Sequence, residues 1–590
     1  MRQSIFQSLM LAAGASAAVL PRASQGPTVQ VANGSYYGVH NSFYDQDLFL
    51  GMPYAQPPVG NLRFRVPEPL NSTWDGVRNA TEYGYACIGY GSDQWVLGNY
   101  VNEDCLTVNV VRPAGVPANA KLPVAVWIHG GGYFMGSKFL NPLTYERTHV
   151  KLTRAAPRTG GSDPRYNTSF LVKESVEMGT PMVAVTLNYR LSAWGFIFGK
   201  EVQAAGQTNI GMRDQRLALH WIQENIDAFG GDKSKVTIFG ESAGGNSVGT
   251  QLIAYGGRDD GLFRAAISQS GAPSGLGRMT TPESWQPAYD ALVSKAGCAD
   301  AADSLDCLRG VPADALNAFI NSTDVLAGPA RPVIDGDLLT EVGTTSLRAG
   351  RFVHVPYLIG ANADEGVSFG VRGINTEDEF VAMVQRSNAG LTRDDALAIA
   401  ALYPDDPDQG IPSTLKGRPG PDLQPLLGSM WKRSAAYGGD PIMHAPRRIA
   451  NEEWARHGVP SYSYHFDVLT NGIPDYAGST HFQEVAFMFN NTGGLGYGNA
   501  VSVNPFGGMP ESLKSLSHMM ARMWISFVVN LDPNHIGIDK PAEWPVYTLE
   551  QPQNYVFDVN ATGYGYIEPD TYRAEGIKYI SDRFETVFRQ

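Results

Sequence analysis

Short runs of apolar, β-branched and aromatic residues recur along this chain and end at glycine-rich or polar segments. Three of them, residues 122–128 (LPVAVWI), 236–239 (VTIF) and 355–359 (VPYLI), have the length and composition of buried strands. Residues 461–468 (SYSYHFDV) alternate in polarity instead, which predicts a half-buried strand. Residues 246–252 (NSVGTQL) predict the start of a helix just after the second run.

A G-x-S-x-G motif lies between that second strand and the predicted helix. Gly240-Glu241-Ser242-Ala243-Gly244 predicts a sharp turn with the serine at its apex. Such a turn strains the serine backbone, so that small neighbours are needed on both sides. The helix N-terminus behind the serine brings backbone N–H groups and a positive dipole end to this place. The motif therefore indicates a nucleophilic serine.

The first strand leads into a glycine-rich loop, His129-Gly130-Gly131-Gly132. Loops of this HGGG type donate backbone N–H groups to a tetrahedral intermediate in lipases and esterases. Taken alone, the loop is better explained as a simple turn after a strand. Two such motifs in this order favour the catalytic interpretation.

The chain resembles the type-B carboxylesterase/lipase family of α/β-hydrolases, which includes cholinesterases and yeast-type secreted lipases. The resemblance implies an α/β fold with a large, mostly parallel central sheet, flanking helices and long loop insertions. It also implies an enzyme that cleaves carboxylic esters through an acyl-enzyme intermediate, without metal or organic cofactor. Besides the two loops, the segments that carry it are residues 103–110 (EDCLTVNV), 188–190 (NYR), 209–215 (NIGMRDQ) and 268–271 (SQSG).

The resemblance completes a triad of serine, acid and histidine, in that chain order. The acid is expected after residues 355–359, where Asp364 and Glu365 are adjacent and spacing does not separate them. The family pattern uses the residue directly before the glycine, which is Glu365, and leaves Asp364 a structural role. Of the six histidines that follow, His481 matches the family's histidine segment.

The resemblance also assigns residues around the triad. It implies oxyanion donors at the N–H groups of Gly131, Gly132 and Ala243. Glu241 and Ser270 match positions near the triad, although ordinary packing explains them equally well. Tyr133, Phe134, Trp194, Phe196 and Phe482 are candidates for an acyl pocket and equally for the core.

Length and charge bear on the domain organisation and on the possible partners. No low-complexity linker, charge block or repeat divides the 590 residues, so we expect one catalytic domain over residues 18–590. The formal charge of −13 argues against nucleic acids and anionic membranes as partners. No H-E-x-x-H or comparable metal-ligand spacing occurs. The sequence carries no signal for an oligomeric state.

The N-terminus and the sequons predict a secreted glycoprotein. Residues 1–17 combine a charged start, an apolar stretch and an Ala15-Ser16-Ala17 cleavage signal, as in a signal peptide. No later segment is long enough for a membrane helix. The seven N-x-S/T sequons are at Asn33, Asn71, Asn79, Asn167, Asn321, Asn490 and Asn560.

Four cysteines allow three pairings. Cys87 with Cys105 and Cys298 with Cys307 are the local choices, and the resemblance implies these two disulfides. Four reduced thiols are the alternative expected of a cytosolic protein. The predicted signal peptide favours disulfides.

The first cysteine loop bears on substrate size. It encloses only Ile88 to Asp104, too short for a long flap, which favours open access and esters of short-to-medium acyl chains. A triacylglycerol lipase is the main alternative. A cholinesterase-like enzyme, with Trp95 or Tyr100 stacking on a cation, is less favoured, and so is a non-catalytic binding homologue, because the complete triad argues against it.

Residues 138–162 form an atypical insertion after the glycine-rich loop. Their basic residues include Arg147, His149, Lys151, Arg154 and Arg158, and they contain few acids. A basic flap over the site is one interpretation; a retained intron translated with the gene is slightly preferred. Peptides spanning Leu143 to Arg158 in the secreted protein would exclude the intron.

Overall fold

A computed structural model describes residues 26–91, 101–134, 163–275, 280–498 and 502–590. The predicted signal peptide at residues 1–17, the aromatic residues Trp95 and Tyr100, and the insertion at residues 138–162 lie outside the described residues.

A large mixed sheet runs through the molecule in the order β16-β15-β14-β13-β12-β11-β9-β10-β8-β4-β3. Neighbouring strands from β15 to β10 pair in parallel, and the strands at both margins pair antiparallel. Smaller sheets contain β1, β2 and β5, and β6 with β7. The strands are β1 (Thr28–Val31), β2 (Gly34–Tyr37), β3 (Val39–Asn41), β4 (Gln46–Pro53), β5 (Val77–Asn79), β6 (Ala86–Cys87), β7 (Val101–Asn102), β8 (Thr107–Pro113), β9 (Leu122–Ile128), β10 (Val183–Leu187), β11 (Gly231–Glu241), β12 (Ala265–Gln269), β13 (Tyr357–Asn362), β14 (Ser461–Phe466), β15 (Gln553–Phe557) and β16 (Gly565–Pro569).

The central strands are apolar on both faces because helices cover both faces. In β9, Val124, Val126 and Ile128 belong to one hydrophobic cluster. The alternate residues Ala125 and Trp127 belong to a second cluster on the opposite face. This two-sided burial explains why the strand reads as a continuous apolar run rather than as an alternating one.

Helices pack on each face of the sheet. Helices α4 and α5 contribute to the first cluster, and α18 supplies much of the second. The α-helices are α1 (Ser169–Glu177), α2 (Ser192–Phe196), α3 (Lys200–Ala204), α4 (Ile210–Asn225), α5 (Ala243–Gly257), α6 (Pro282–Lys295), α7 (Ser304–Gly310), α8 (Ala313–Ile320), α9 (Thr323–Leu326), α10 (Gly343–Arg348), α11 (Gly366–Phe369), α12 (Glu377–Ser387), α13 (Arg393–Leu402), α14 (Gln424–Leu427), α15 (Trp431–Gly439), α16 (Ala445–Arg456), α17 (Val485–Met488), α18 (Glu511–Asn530) and α19 (Ala574–Ser581).

Both predicted cysteine pairs are joined in the structure. Cys87 bonds Cys105, with Cα atoms 5.0 Å apart, and Cys298 bonds Cys307, with Cα atoms 5.7 Å apart. Within the described ranges, no helix has the length and apolarity needed to cross a membrane.

The strand order brings the candidate residues to one edge of the sheet. Strands β9, β11, β12, β13 and β14 are consecutive neighbours and parallel. Their carboxyl ends therefore meet at the same edge, where functional groups of such sheets gather. The glycine-rich loop, Ser242, Ser270, Glu365 and His481 follow these five strands in that order.

Candidate active site

Ser242 lies at the tight turn between β11 and α5. Its backbone has φ 58° and ψ −124°, a conformation that a residue with a Cβ seldom adopts. A Cβ on Gly240 would lie 2.5 Å from the Ile128 carbonyl oxygen, and a Cβ on Gly244 only 2.1 Å from it. Glycine at both positions is therefore a steric requirement of the turn, as the motif predicted.

His481 lies between Ser242 and Glu365. Its Nε2 is 2.9 Å from Ser242 Oγ, and its Nδ1 is 2.7 Å from Glu365 Oε2. The Phe369 ring meets the imidazole edge-on, with the ring centroids 5.1 Å apart. The imidazole side chain keeps 16% of its surface exposed. Serine, imidazole and carboxylate thus form one unbroken hydrogen-bond chain that solvent still reaches.

Glu365 is fully buried in the loop between β13 and α11. While Oε2 faces His481, Oε1 accepts hydrogen bonds from the Asn362 backbone N–H at 2.9 Å and from the Ser270 hydroxyl. The neighbouring Asp364 carboxylate accepts instead from the Ser479 backbone N–H at 2.8 Å. Of the two adjacent acids, Glu365 is the one that contacts the histidine.

The glycine-rich loop runs directly against the serine turn. A Cβ on Gly130 would lie 2.3 Å from the Glu241 carbonyl oxygen and 3.1 Å from Ser242 Cβ. Gly131 and Gly132 have φ of 103° and 61°, values that favour glycine. Among the described residues, no acceptor is bonded to the N–H groups of Gly131, Gly132 or Ala243. Within the part of the chain that the structure describes, these three backbone donors, in the glycine-rich loop and at the serine turn, are therefore unbonded.

Two further glutamates are buried against this chain of residues. Glu241 Oε1 lies 3.3 Å from His481 Nε2. Glu484 accepts hydrogen bonds from Asn362 Nδ2 at 2.7 Å and from Gln269 Nε2 at 3.3 Å. The site therefore combines one imidazole with three buried carboxyl groups.

The pKa values of His481, Glu241 and Glu484 are all raised, by neighbouring carboxylates in the first case and mainly by burial in the other two. Burial opposes a charged His481, but the carboxylates of Glu365 and Glu241 outweigh it and raise the pKa of the imidazole. Burial raises the pKa of Glu241 well above its usual range. Burial, followed by the nearby Glu365, raises the pKa of Glu484 to about 7. The pocket thus favours an imidazolium at the moment when His481 takes up a proton.

Glu484 was not predicted from the sequence. It stands three residues after His481 in an ordinary polar segment (HFQEV), and nothing local separates it from a surface glutamate. The buried Glu484 carboxyl group accepts its hydrogen bonds from Gln269 and Asn362, which are the last residues of β12 and β13. Only the sheet order brings those strand ends together.

The candidate acyl-pocket aromatics divide into two groups. Tyr133, Trp194 and Phe196 are buried in hydrophobic clusters. Phe134 and Phe482 are half-buried, and Phe482 directly follows His481. Phe134 packs against the first hydrophobic cluster and Phe482 against the second. Over the described ranges, no group of three or more His, Cys, Asp or Glu side chains is arranged to hold a metal ion.

The sequence profile of the carboxylesterase family matches residues 25–570. The chain belongs to the carboxylesterase family. Like the family, it is a carboxylic ester hydrolase with the α/β-hydrolase fold, as the sequence predicted.

Relatives of this carboxylesterase include fungal lipases. It is 33% identical to Lipase 4 of Diutina rugosa, over 93% of this chain and 95% of the relative. It is 31% identical to Secreted lipase 1 of Botryotinia fuckeliana, over 94% of this chain and 92% of the relative. Among solved structures, Aspergillus niger EstA matches with a TM-score of 0.75 and 27% identity, covering 95% of this chain and 98% of EstA.

Proposed function

We propose that this carboxylesterase uses Ser242 as nucleophile, His481 as general base and Glu365 as the acid that orients the histidine. The observation that carries the proposal is the unbroken hydrogen-bond chain through these three side chains. A serine hydroxyl is a weak nucleophile until a base accepts its proton, and His481 Nε2 lies at hydrogen-bond distance for that transfer.

The reaction follows in two halves. Ser242 Oγ bonds the ester carbonyl carbon while its proton passes to His481 Nε2. The carbon–oxygen bond to the alcohol then breaks, and the imidazolium gives its proton to the departing oxygen. Water repeats the sequence on the acyl-enzyme: its proton goes to His481, its oxygen to the carbonyl carbon, and Ser242 recovers its proton as the acid leaves.

The free N–H groups of Gly131, Gly132 and Ala243 suit the oxyanion of both tetrahedral intermediates. Their donors have no competing acceptor in the described residues. Fixed donors act where negative charge develops and need no reorganisation during the reaction. Loss of one such donor typically lowers turnover by roughly a hundred- to a thousand-fold.

Ser270 and Glu241 act through the triad in this proposal. Ser270 donates its hydroxyl hydrogen to Glu365 and so fixes the carboxylate that faces His481. Glu241 lies 3.3 Å from His481 Nε2, where a carboxylate stabilises the imidazolium. The mechanism uses no metal and no organic cofactor.

Short-to-medium acyl esters are the substrates that we propose. The Cys87–Cys105 loop spans only 18 positions, which leaves little chain for a flap over the serine. The names of the relatives favour the second candidate, a lipase acting on long-chain triacylglycerols: Lipase 4, Secreted lipase 1 and Secreted triacylglycerol lipase LIP1.

We also propose that residues 1–17 direct export and that the mature enzyme is extracellular and N-glycosylated. Three relatives are named as secreted lipases, and two disulfides suit an oxidising compartment.

Hydrolysis of p-nitrophenyl esters, with acyl chains from acetyl to palmitoyl, tests both parts of the proposal. We expect a maximum at short chains and a loss of roughly 10⁴-fold or more in kcat for Ser242→Ala. A maximum at long chains, with a jump when triglyceride forms an emulsion, would favour the lipase. Activity that survives in Ser242→Ala would refute the assigned nucleophile.

A further inference from the structure

Asp364 precedes Glu365 in the chain, but it does not contact His481. It contacts the histidine loop, which is residues 478–480. Its backbone N–H donates to the Ser479 carbonyl oxygen at 2.9 Å. The Ser479 backbone N–H donates in return to Asp364 Oδ2 at 2.8 Å. Asp364 is 2% exposed. The two residues thus form a closed, buried pair of hydrogen bonds two positions before His481.

The chain opposite Asp364 is shaped to receive this carboxylate. Gly478 has φ +56°, and a Cβ there would lie 2.1 Å from Asp364 Oδ2. The carboxylate oxygen thus occupies the space that a side chain at position 478 would need. A positive φ alone would allow asparagine or aspartate, but this contact excludes every side chain.

Other bonds join the same two loops. The Phe466 carbonyl oxygen, at the end of β14, accepts from the Ala363 N–H at 2.9 Å and from Ser479 Oγ at 2.8 Å. Ser368 Oγ and Thr480 Oγ1 are 2.8 Å apart. Several hydrogen bonds therefore join the acid loop (residues 363–368) to the histidine loop (residues 478–480). Among the bonds named here, only the Asp364 carboxylate is a side-chain acceptor for the backbone of the histidine loop.

We propose that Asp364 is a positioning residue: by accepting the Ser479 N–H, it holds the histidine loop so that His481 stays against Glu365. This inference rests on the triad proposed above. Asp364 touches neither Ser242 nor the imidazole, and it acts through Ser479. What it supplies is a hydrogen-bond acceptor of a fixed shape, and its charge is not required.

The surroundings of Asp364 agree with a role that does not depend on charge. Burial, followed by the nearby carboxylate of Asp467, raises the pKa of Asp364 to about 7. His465, Arg573 and Lys432 are the basic groups close enough to influence this carboxyl. An uncharged amide of the same shape keeps an oxygen acceptor for the Ser479 N–H.

The test compares Asp364→Ala with Asp364→Asn on a short-chain p-nitrophenyl ester, with melting temperature measured for each variant. We expect the alanine variant to lose roughly ten- to a hundred-fold in kcat with KM nearly unchanged, because a small displacement of a catalytic group has an effect of this size. The asparagine variant should stay within about three-fold of wild type, since it keeps the acceptor. Asp467→Asn, a change to the neighbouring acid, is the matched control and should leave kcat unchanged.

A wild-type kcat in Asp364→Ala would overturn the inference, and so would an asparagine variant as slow as the alanine variant. If Asp364→Ala fails to fold, Gly478→Ala tests the same contact from the other side, because its Cβ displaces the carboxylate. We expect a matching fall in kcat, and a wild-type kcat there would contradict the inference. Ser242→Ala is assayed in parallel: full activity in it would refute the triad itself, and with it the inference.

Discussion

At the scale of single residues, the site depends on groups whose neighbours fix both their position and their charge. One carboxylate oxygen of Glu365 faces His481, and the other accepts hydrogen bonds from the Asn362 N–H and the Ser270 hydroxyl. This arrangement leaves the carboxylate one orientation. Glu241 also contacts the imidazole: its Oε1 lies 3.3 Å from His481 Nε2, the atom that faces Ser242.

Replacement of Glu241 by glutamine should shift the pH profile toward acid. His481 accepts a proton only when neutral, so kcat/KM rises as pH increases through the pKa of the imidazole. Glu241 is one of the carboxylates that raise this pKa, and its removal lowers the pKa. We expect the acid limb of kcat/KM to move down by roughly one pH unit.

Exposed Glu283, in the first turn of α6, gives the matched control, and Glu283→Gln should leave the profile unchanged. A limb that stays in place in Glu241→Gln would mean that Glu241 keeps its proton over this pH range and contributes no charge to His481.

At the scale of elements, the serine turn is set by how closely α5 approaches β9. The Ile128 carbonyl oxygen at the end of β9 leaves no space for side chains at positions 240 and 244. The helix begins at Ala243, earlier than the predicted start at residue 246, because the Ser242 carbonyl oxygen already accepts the Asn246 N–H at 2.8 Å.

Gly244→Ala should damage both stability and activity. The added Cβ would lie 2.1 Å from the Ile128 carbonyl oxygen, which is backbone and cannot rotate away. We expect a loss of about 3 kcal/mol in unfolding free energy and at least a roughly ten-fold fall in kcat as the serine shifts. Gly310→Ala is the control, since its Cβ would meet nothing within 4 Å. Equal melting temperatures for the two variants would contradict this account of the turn.

Comparison of the predicted and observed strands shows which strand limits the local sequence determines and which it does not. The strand predicted at residues 122–128 has those bounds in the structure. The strand predicted at 355–359 instead spans Tyr357–Asn362. Pro356 has no N–H for the ladder, and the strand continues through Gly360, where a Cβ would lie 2.0 Å from the Tyr464 ring. Contact with the next strand set those limits, and the local sequence does not contain it.

At the scale of the whole molecule, the strand order assembles the site. The serine, the acid and the histidine were predicted by number because motifs and resemblance supply them. The partners Asn362, Gln269 and Glu484 were not, because their meeting depends on which strands are neighbours. Sequence pattern alone does not contain that order.

On the secretory route that we propose, the folded structure predicts which of five sequons, out of seven, carry a glycan. Asn71, Asn321 and Asn560 are exposed, so a glycan there meets solvent. We expect all three to be occupied in the secreted protein. Peptides treated with an N-glycosidase in heavy-oxygen water, and untreated peptides, are compared by mass spectrometry, because the treatment labels each asparagine that carried a glycan.

Two other sequons should stay empty. Asn33 Nδ2 donates to the Ser72 carbonyl oxygen at 2.9 Å, and Asn490 Nδ2 contacts Glu174 Oε2 at 3.4 Å. A glycan on either nitrogen would break a contact of the folded chain. Full occupancy at Asn490 would contradict the contact between Asn490 and Glu174.

The central claim is that Ser242 carries the acyl group during turnover. The most direct measurement is acid quenching during hydrolysis of a p-nitrophenyl ester, followed by mass spectrometry of the peptide that contains Ser242. We predict one acyl group per chain, on Ser242, with none in Ser242→Ala. An active enzyme with the acyl group on another residue, or with no adduct while p-nitrophenol is released in a burst, would contradict the account.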